Sequence, residues 1–573
     1  MSVTWARIRR VLKPFDLQTL LFVFVFITVL FLVVYPIILV VLNSFQSAPP
    51  GRPRMFALDG WRAAVSEPGM RSSIYNTLTL LLTRQAIAFP IAILVTWIIA
   101  RTDVPWRGFL EFLFWISFFL PPLSVTLGWI LLLAPDYGIL NQVWKKVFKV
   151  TSGPFDIFSF WGIVWTHLAT YGISLKVILL TPAFRNMNAS FEEVSRVCGA
   201  SSLGTLWKII VPMMTPAIVI VFLLSTIRGL QTFEIEMILG APIGLFVYST
   251  KIYTLMFQEP PGLAAATALS TMTLLFLLPF ILLQRWMIGR RHYTTVESRY
   301  QASVTRLGAW RYPVFALVLL LGIGLTVLPV IFLLMGTVMK LFGFFHVNEP
   351  WTFANWLRVL DDPIFIRSLF NTVIMGTGAA IVGVGLFSLI AYMTVRSKFA
   401  GKSVLDLVTW LPITLPGILV GIGLMWLFLG TPIFRPFYGS IVLLIIATVI
   451  SGMPLGTQVI KSNLVQIGAD LEDASMAAGA SWWMTYRRIV LPLMTPVLVI
   501  VAIVNFIAAA RDISHIVLLA THGSRTLALL QLDFMVGGQY ENAAVVATLV
   551  VVLSTGGILL ARLLGFRLGN LGE

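Results

Sequence analysis

Twelve long apolar runs constrain this chain more than any other feature. They lie near residues 20–42, 74–100, 109–134, 157–180, 213–230 and 263–284, then near 313–338, 370–395, 404–429, 440–460, 493–510 and 543–564. A helix rises about 1.5 Å per residue, so about 20 apolar residues cross the hydrocarbon core of a bilayer. Backbone amides in that core must bond within their own segment, and continuous rather than alternating runs read as helices, not as barrel strands. The expected fold is an all-α polytopic membrane protein with about 12 transmembrane helices. Of 573 residues, 58% are hydrophobic and 11% are charged, against about 25% charged in soluble domains. A soluble globular enzyme is thereby excluded. Cys198 is the only cysteine, which excludes a disulfide-stapled secreted protein. The net charge of +16 does not imply nucleic acid, because the charges fall in loops between apolar runs.

Arg7, Arg9, Arg10 and Lys13 precede the first run. That run is too long for the core of a cleaved signal, and no small-x-small site follows it. It reads as a first span with a cytoplasmic N-terminus. With twelve spans numbered from there, the excess of Lys and Arg falls in the loops assigned to the cytoplasm, as the positive-inside rule requires.

The chain is a tandem repeat. Residues 199–216 read GASSLGTLWKIIVPMMTP and residues 479–496 read GASWWMTYRRIVLPLMTP, with nine of 18 positions identical. Farther upstream, Ser73-Ile74-Tyr75-Asn76-Thr77 faces Ser368-Leu369-Phe370-Asn371-Thr372, Arg101 faces Arg396, Pro121 faces Pro416, and Gly128 faces Gly423. The matched loops fall on the same side, so the halves are parallel rather than inverted repeats. The expected domains are a first six-helix half over 1–290, a basic cytoplasmic linker over 291–311, and a second six-helix half over 312–573. The first half carries a longer external loop between its third and fourth spans.

One segment recurs with chemistry of its own. The first copy runs Glu193-Val194-Ser195, three residues, Gly199-Ala200, then Ile209-Ile210-Val211-Pro212. The second runs Asp473-Ala474-Ser475, three residues, Gly479-Ala480, then Ile489-Val490-Leu491-Pro492. This spacing predicts a short helix, a Gly-permitted break, a second short helix, and a Pro opening the next span. The product is a partly polar knob facing the cytoplasm. Presented twice, it would suit a two-fold-related partner.

These two copies resemble the Glu-Ala-Ala…Gly loop of the membrane subunits of binding-protein-dependent ABC importers. The chain departs from that pattern at Val194, Ser195 and Asp473. Its fused double layout, with Gly229-Leu230-Gln231-Thr232-Phe233-Glu234 and Arg511-Asp512-Ile513, looks most like the ferric-iron permeases. The resemblance implies two pseudo-symmetric six-helix halves of the type I importer kind in a bacterial inner membrane. It also implies two ATP-binding subunits docked on the two loops, and a periplasmic binding protein that delivers the solute. Glu193, Ala200, Asp473 and Ala480 would belong to the docking helices, and Gly199 and Gly479 would make their turns. ATP and Mg would be held by the partner subunits, with no cofactor in this chain. Polyamine, thiamine, sulfate and phosphonate permeases share the same loop and stay open as alternatives.

No catalytic residues are expected. The nearest approach to a phosphate-cradling loop is Gly401-Lys402-Ser403, but Arg396 stands where the first Gly is needed. Polar groups inside spans are costly and so informative. Arg228, Glu234 and Glu236 lie at the end of the fifth span of the first half, and Arg511, Asp512 and His515 at the equivalent end of the second. If helical, Arg511 and His515 share a face. These clusters either line the external mouth of a translocation pathway or form local ion pairs that fix helix ends. Arg84 with Gln85, and His167 with Lys176, read as snorkelling or interhelical bonding groups. Glu234, Glu236 and Asp512 are hard ligands suited to Fe(III), yet the five His are scattered, and no resident metal site is expected. Pro121 and Pro416 are expected to kink or end their spans. A gradient-driven carrier of two six-span halves, and more distantly a membrane enzyme, are the competing functions.

Overall fold

The computed structural model describes residues 17–53, 55–188, 190–289 and 304–563. The N-terminal bases Arg7 to Lys13, Arg290, and residues 291–303 of the expected linker, with Arg291 and Arg299, lie outside the described residues. Among the described residues there is no strand, only four isolated bridges. Eight helices are long and apolar enough to cross a membrane, or up to twelve if each sharply bent helix pair counts as one span. Every apolar run expected to span is helical.

Matched prolines shape the third span of each repeat. Arg107–Phe119 and Pro122–Leu133 meet at 99° across Pro121, and Lys402–Thr414 and Gly417–Gly430 meet at 115° across Pro416. Proline removes a helical donor and pushes the preceding residue out of the helical region, so the break falls where the sequence places it. A further bent pair, Glu236–Ile243 with Tyr248–Phe257 at 79°, follows the fifth span of the first repeat. The second repeat has the short apolar helix Leu527–Val536 at that point. Neither segment is among the twelve apolar runs. A matched asparagine bonds the turn within the first and the loop that leads into the second. Asn76 Nδ2 donates to the Phe246 carbonyl at 3.1 Å, and Asn371 Nδ2 donates to the Gly523 carbonyl at 3.0 Å.

The chain divides into two compact units. Among the described residues, one comprises 17–57, 370–524 and 557–563; the other comprises 58–369 and 525–556. Each unit therefore takes in the first span of the other repeat. Within the first unit, Leu17–Asn43 packs on Gly417–Gly430, where a Cβ on Gly423 would meet Pro36 Cβ at 2.9 Å. Phe22 of the same helix lies 5.2 Å from the Trp482 ring in an edge-on contact. Within the second unit, Gly308–Thr337 packs on Pro122–Leu133, where a Cβ on Gly128 would meet the Pro329 carbonyl at 2.1 Å. Such glycines admit close backbone approach between apolar helices, which gain little from hydrophobic burial in lipid and must associate by packing.

Candidate functional site

The repeated loops have the same build in both copies. In the first, Ser190–Val197 is followed by Gly199 at φ +80°, then by Ser202–Thr205, which runs on through Leu206–Ile210 into Val211–Gly229. In the second, Asp470–Ala477 is followed by Gly479 at φ +91°, then by Trp482–Thr485 running through Tyr486–Val490 into Leu491–Ala510. Pro212 and Pro492 do not open these spans as expected, because the helices already begin at Ser202 and Trp482; each proline instead follows a π-helical stretch, Leu206–Ile210 or Tyr486–Val490, where the regular bonding is interrupted. The residues after each glycine close the helix end. Ala200 N donates to the Ser195 carbonyl at 3.0 Å, and Ala480 N to the Ser475 carbonyl at 3.1 Å. This is the bond that satisfies an orphan carbonyl once a left-handed glycine has turned the chain.

Hydroxyls finish the joint. Ser201 and Ser481 cap the second short helices, accepting from Gly204 N at 3.2 Å and Met484 N at 3.3 Å. The two short helices are bridged side chain to side chain, Ser195 Oγ to Thr205 Oγ1 at 2.7 Å and Ser475 Oγ to Thr485 Oγ1 at 2.9 Å. Ser195, a departure from the alanine of the resembled family, thus has a structural partner.

Two adjacent acids divide the work on each first helix. Glu193 and Asp473, the expected docking acids, are exposed. Their neighbours Glu192 and Glu472 are buried. Arg101 Nε donates to Glu192 Oε1 at 2.8 Å, and its Nη1 donates to the Met187 carbonyl at 3.1 Å. In the second copy Arg396 Nε lies 3.0 Å from Glu472 Oε1, and Tyr392 Oη donates to Glu472 Oε2 at 2.8 Å. The end of each second span is thereby clamped to the loop. Sequence reading matched Arg101 with Arg396 but missed their partners. The available signal was that Glu is retained at 192 and 472, whereas 193 and 473 differ. Around the exposed acids, Phe191, Val194, Val197 and Trp207 in one copy, and Leu471, Met476 and Trp483 in the other, are also exposed. Each loop therefore offers an acid within an apolar surface.

The second candidate cluster lies where the fifth span of the first repeat ends. Glu236 is buried and pairs with His167 Nε2 at 2.7 Å, while Thr232 Oγ1 donates to the same carboxylate oxygen at 2.7 Å. Glu234 is half-buried and Arg228 is exposed. Arg84 donates to the Gly229 carbonyl, and Gln85 Nε2 to Ser225 Oγ at 2.9 Å, so these two make the interhelical bonds expected of them. In the second repeat the helix ends at Ala510, and 511–519 is turn rather than helix. Arg511 and His515 consequently do not share a helical face. Asp512 Oδ1 instead accepts from the His515 backbone N at 3.3 Å and meets its Nδ1 at 2.9 Å. The half-buried carboxylate thus ties down the loop that the helix cannot continue into. Among the described residues no three His, Cys, Asp or Glu are grouped so as to hold a metal ion.

Both repeats match a known family. Residues 88–292 and 365–570 each match the family described as "Binding-protein-dependent transport system inner membrane component". A relative from Haemophilus influenzae, 29% identical over 71% of this chain, carries a ferric transport permease name, and the match spans 63% of its length. The ferric transport system permease protein FbpB of Actinobacillus pleuropneumoniae is 28% identical over 76% of this chain and 62% of its own. The chain thus spans about three fifths of the length of these two relatives. "Probable ABC transporter permease protein y4fN" of Sinorhizobium fredii is 26% identical over 86% of this chain and 87% of that protein.

Proposed function

The chain belongs to the family of binding-protein-dependent transport system inner membrane components, with that domain present twice, and on that premise we propose that it is the translocation subunit of an ATP-driven importer. The observation that carries this reading is the duplicated loop. Two copies of one Gly-turned helix pair, each clamped to a span by an Arg–Glu contact, are what an external motor needs to grip. A carrier driven by its own gradient has no use for them. In this reading the loops face the cytoplasm, as does the N-terminus. Two ATP-binding subunits dock there, Glu193 and Asp473 lie in their clefts, and ATP with Mg resides in those partners. Their closure would rock the spans between inward- and outward-facing states through Gly199, Ala200, Gly479 and Ala480. The halves 1–290 and 312–573, joined by 291–311, are the two permease repeats.

Ferric iron is the cargo this reading favours, supported by the names of the relatives. A periplasmic binding protein would deliver it, and Arg228, Glu234, Glu236, Arg511, Asp512 and His515 would stand along its route. Substrate-stimulated ATP hydrolysis tests the proposal. The chain is reconstituted with its neighbouring ATPase and a candidate binding protein loaded in turn with Fe(III), polyamine, thiamine or an oxyanion. Stimulation by the Fe(III)-loaded protein is expected. Stimulation by another cargo would replace iron. Failure to associate with any ATPase, together with gradient-driven uptake by this chain alone, would overturn the importer reading.

A further inference from the structure

A narrow, partly open cavity lies among the helices over 70–101, 160–185 and 211–229. Its wall carries Arg84, Gln85, His167, Tyr171, Lys176 and Arg228, and no carboxylate. Lys176 is 3% exposed. Its Nζ donates to the Gly172 carbonyl one turn back at 2.8 Å and lies 5.0 Å from the centre of the Phe89 ring. Arg84, also buried, bonds the Gly229 carbonyl that ends the fifth span. Arg228 stands exposed at the mouth. Among the described residues none of these three bases has a carboxylate within ion-pair distance. Glu236 stands behind His167 and is already engaged by it and by Thr232. Glu234 is half-buried and is not on the wall. His167 keeps its other nitrogen, Nδ1, buried and without a hydrogen-bond partner.

Guanidinium groups do not shed their proton, so two fixed positive charges face this space whatever the state of Lys176. Charge within a membrane bundle is costly and marks a site where a partner arrives, and Glu236, the carboxylate whose charge reaches Arg84, is already held by His167 and Thr232. The partner must be negative, and planar guanidinium forks and a compact ammonium favour oxygen anions. We propose that this cavity binds one small oxyanion, of carboxylate, carbonate or phosphate type, between Arg84 and Lys176, with Arg228 at its entrance. The site goes beyond the importer reading and holds whichever solute the protein carries.

The test uses the purified full chain in lipid nanodiscs. Its thermal midpoint is titrated with sodium bicarbonate, phosphate or citrate, with sodium chloride at equal ionic strength as the control. At least one oxyanion should raise the midpoint saturably, at a concentration tenfold or more below any effect of chloride. Lys176→Met and Arg228→Gln should each raise the half-saturating concentration at least tenfold, and Lys176→Arg should restore it. If Lys176→Met fails to insert, the exposed Arg228→Gln decides. Equal, unsaturable effects of all four salts, or unchanged half-saturation in Arg228→Gln, would overturn the site. Citrate with and without Fe(III) separates two sources of the anion. Tenfold tighter binding of the iron complex assigns it to the metal's own ligand shell, and equal binding assigns it to a free ion.

Discussion

Arg101 and Glu192 meet at 2.8 Å with both side chains almost wholly buried, 91 residues apart in sequence. Arg396 and Glu472 repeat the contact at 3.0 Å with somewhat more exposure. Removing one member of a buried pair strands the other charge, which costs about 3–5 kcal/mol. Arg101→Leu should therefore lower the thermal stability of the purified chain by about that amount. Arg396→Leu should cost less, because its side chain is partly solvated and Tyr392 Oη still donates to the Glu472 carboxylate once Arg396 is gone. Restoration of Arg101→Leu to near wild type by adding Glu192→Leu would show that the stranded charge carried the cost. Equal losses at 101 and 396 would contradict the difference in burial.

The exposed neighbours should behave in the opposite way. Glu193 and Asp473 touch solvent, and surface substitutions away from special features stay within about 0.5 kcal/mol. Glu193→Gln with Asp473→Asn should leave the thermal midpoint unchanged but weaken association with the ATPase subunits severalfold, read by co-purification at rising salt. Unaltered association would move the docking role to the apolar residues beside them.

Gly199 and Gly479 have left-handed backbone angles, yet a Cβ at either would meet nothing within 4 Å. Their substitution is thus a purely conformational change, worth about 1–2 kcal/mol for an ordinary L residue. Asn should be tolerated better than Leu, because it enters this region more readily. The double variant Gly199→Leu, Gly479→Leu should still insert and hydrolyse ATP with its partners, but transport should fall away from hydrolysis. Normal uptake per ATP hydrolysed would sink the coupling assignment.

Much of this was legible in the sequence, and the rest was hidden for identifiable reasons. Apolar runs report spans because lipid demands them, and Gly199, Gly479, Pro121 and Pro416 report turns and breaks because their backbone limits are local. Which of two adjacent acids faces inward is not local. Glu192 and Glu193 differ by about 100° around a helix, and only Arg101, from a distant span, selects between them. Likewise, no periodicity tells the first span of one repeat that it packs with the third span of the other. The bent segment over 236–257 was missed because glycine, proline and Glu236 gave it a loop's composition. Its burial comes from His167 and from the neighbouring helices.

The glycines that accept those first spans supply a final prediction. A methyl group on Gly128 would lie 2.1 Å from the Pro329 carbonyl oxygen and 2.8 Å from its carbon, whereas one on Gly423 would lie 2.9 Å from Pro36 Cβ and 3.0 Å from its oxygen. Both obstacles are backbone or a rigid ring, so whole helices must shift. Overpacking of this kind costs about 1–3 kcal/mol, with Gly128→Ala at the upper end and Gly423→Ala below it. Gly324 lies on the same helix as Pro329 with nothing within 4 Å of its would-be Cβ. Gly324→Ala should therefore be neutral or stabilising by up to about 1 kcal/mol, from helix propensity alone. Thermal midpoints of the three single variants in one lipid system order them, and a midpoint for Gly128→Ala at or above that of Gly324→Ala would show that the helices do not approach so closely.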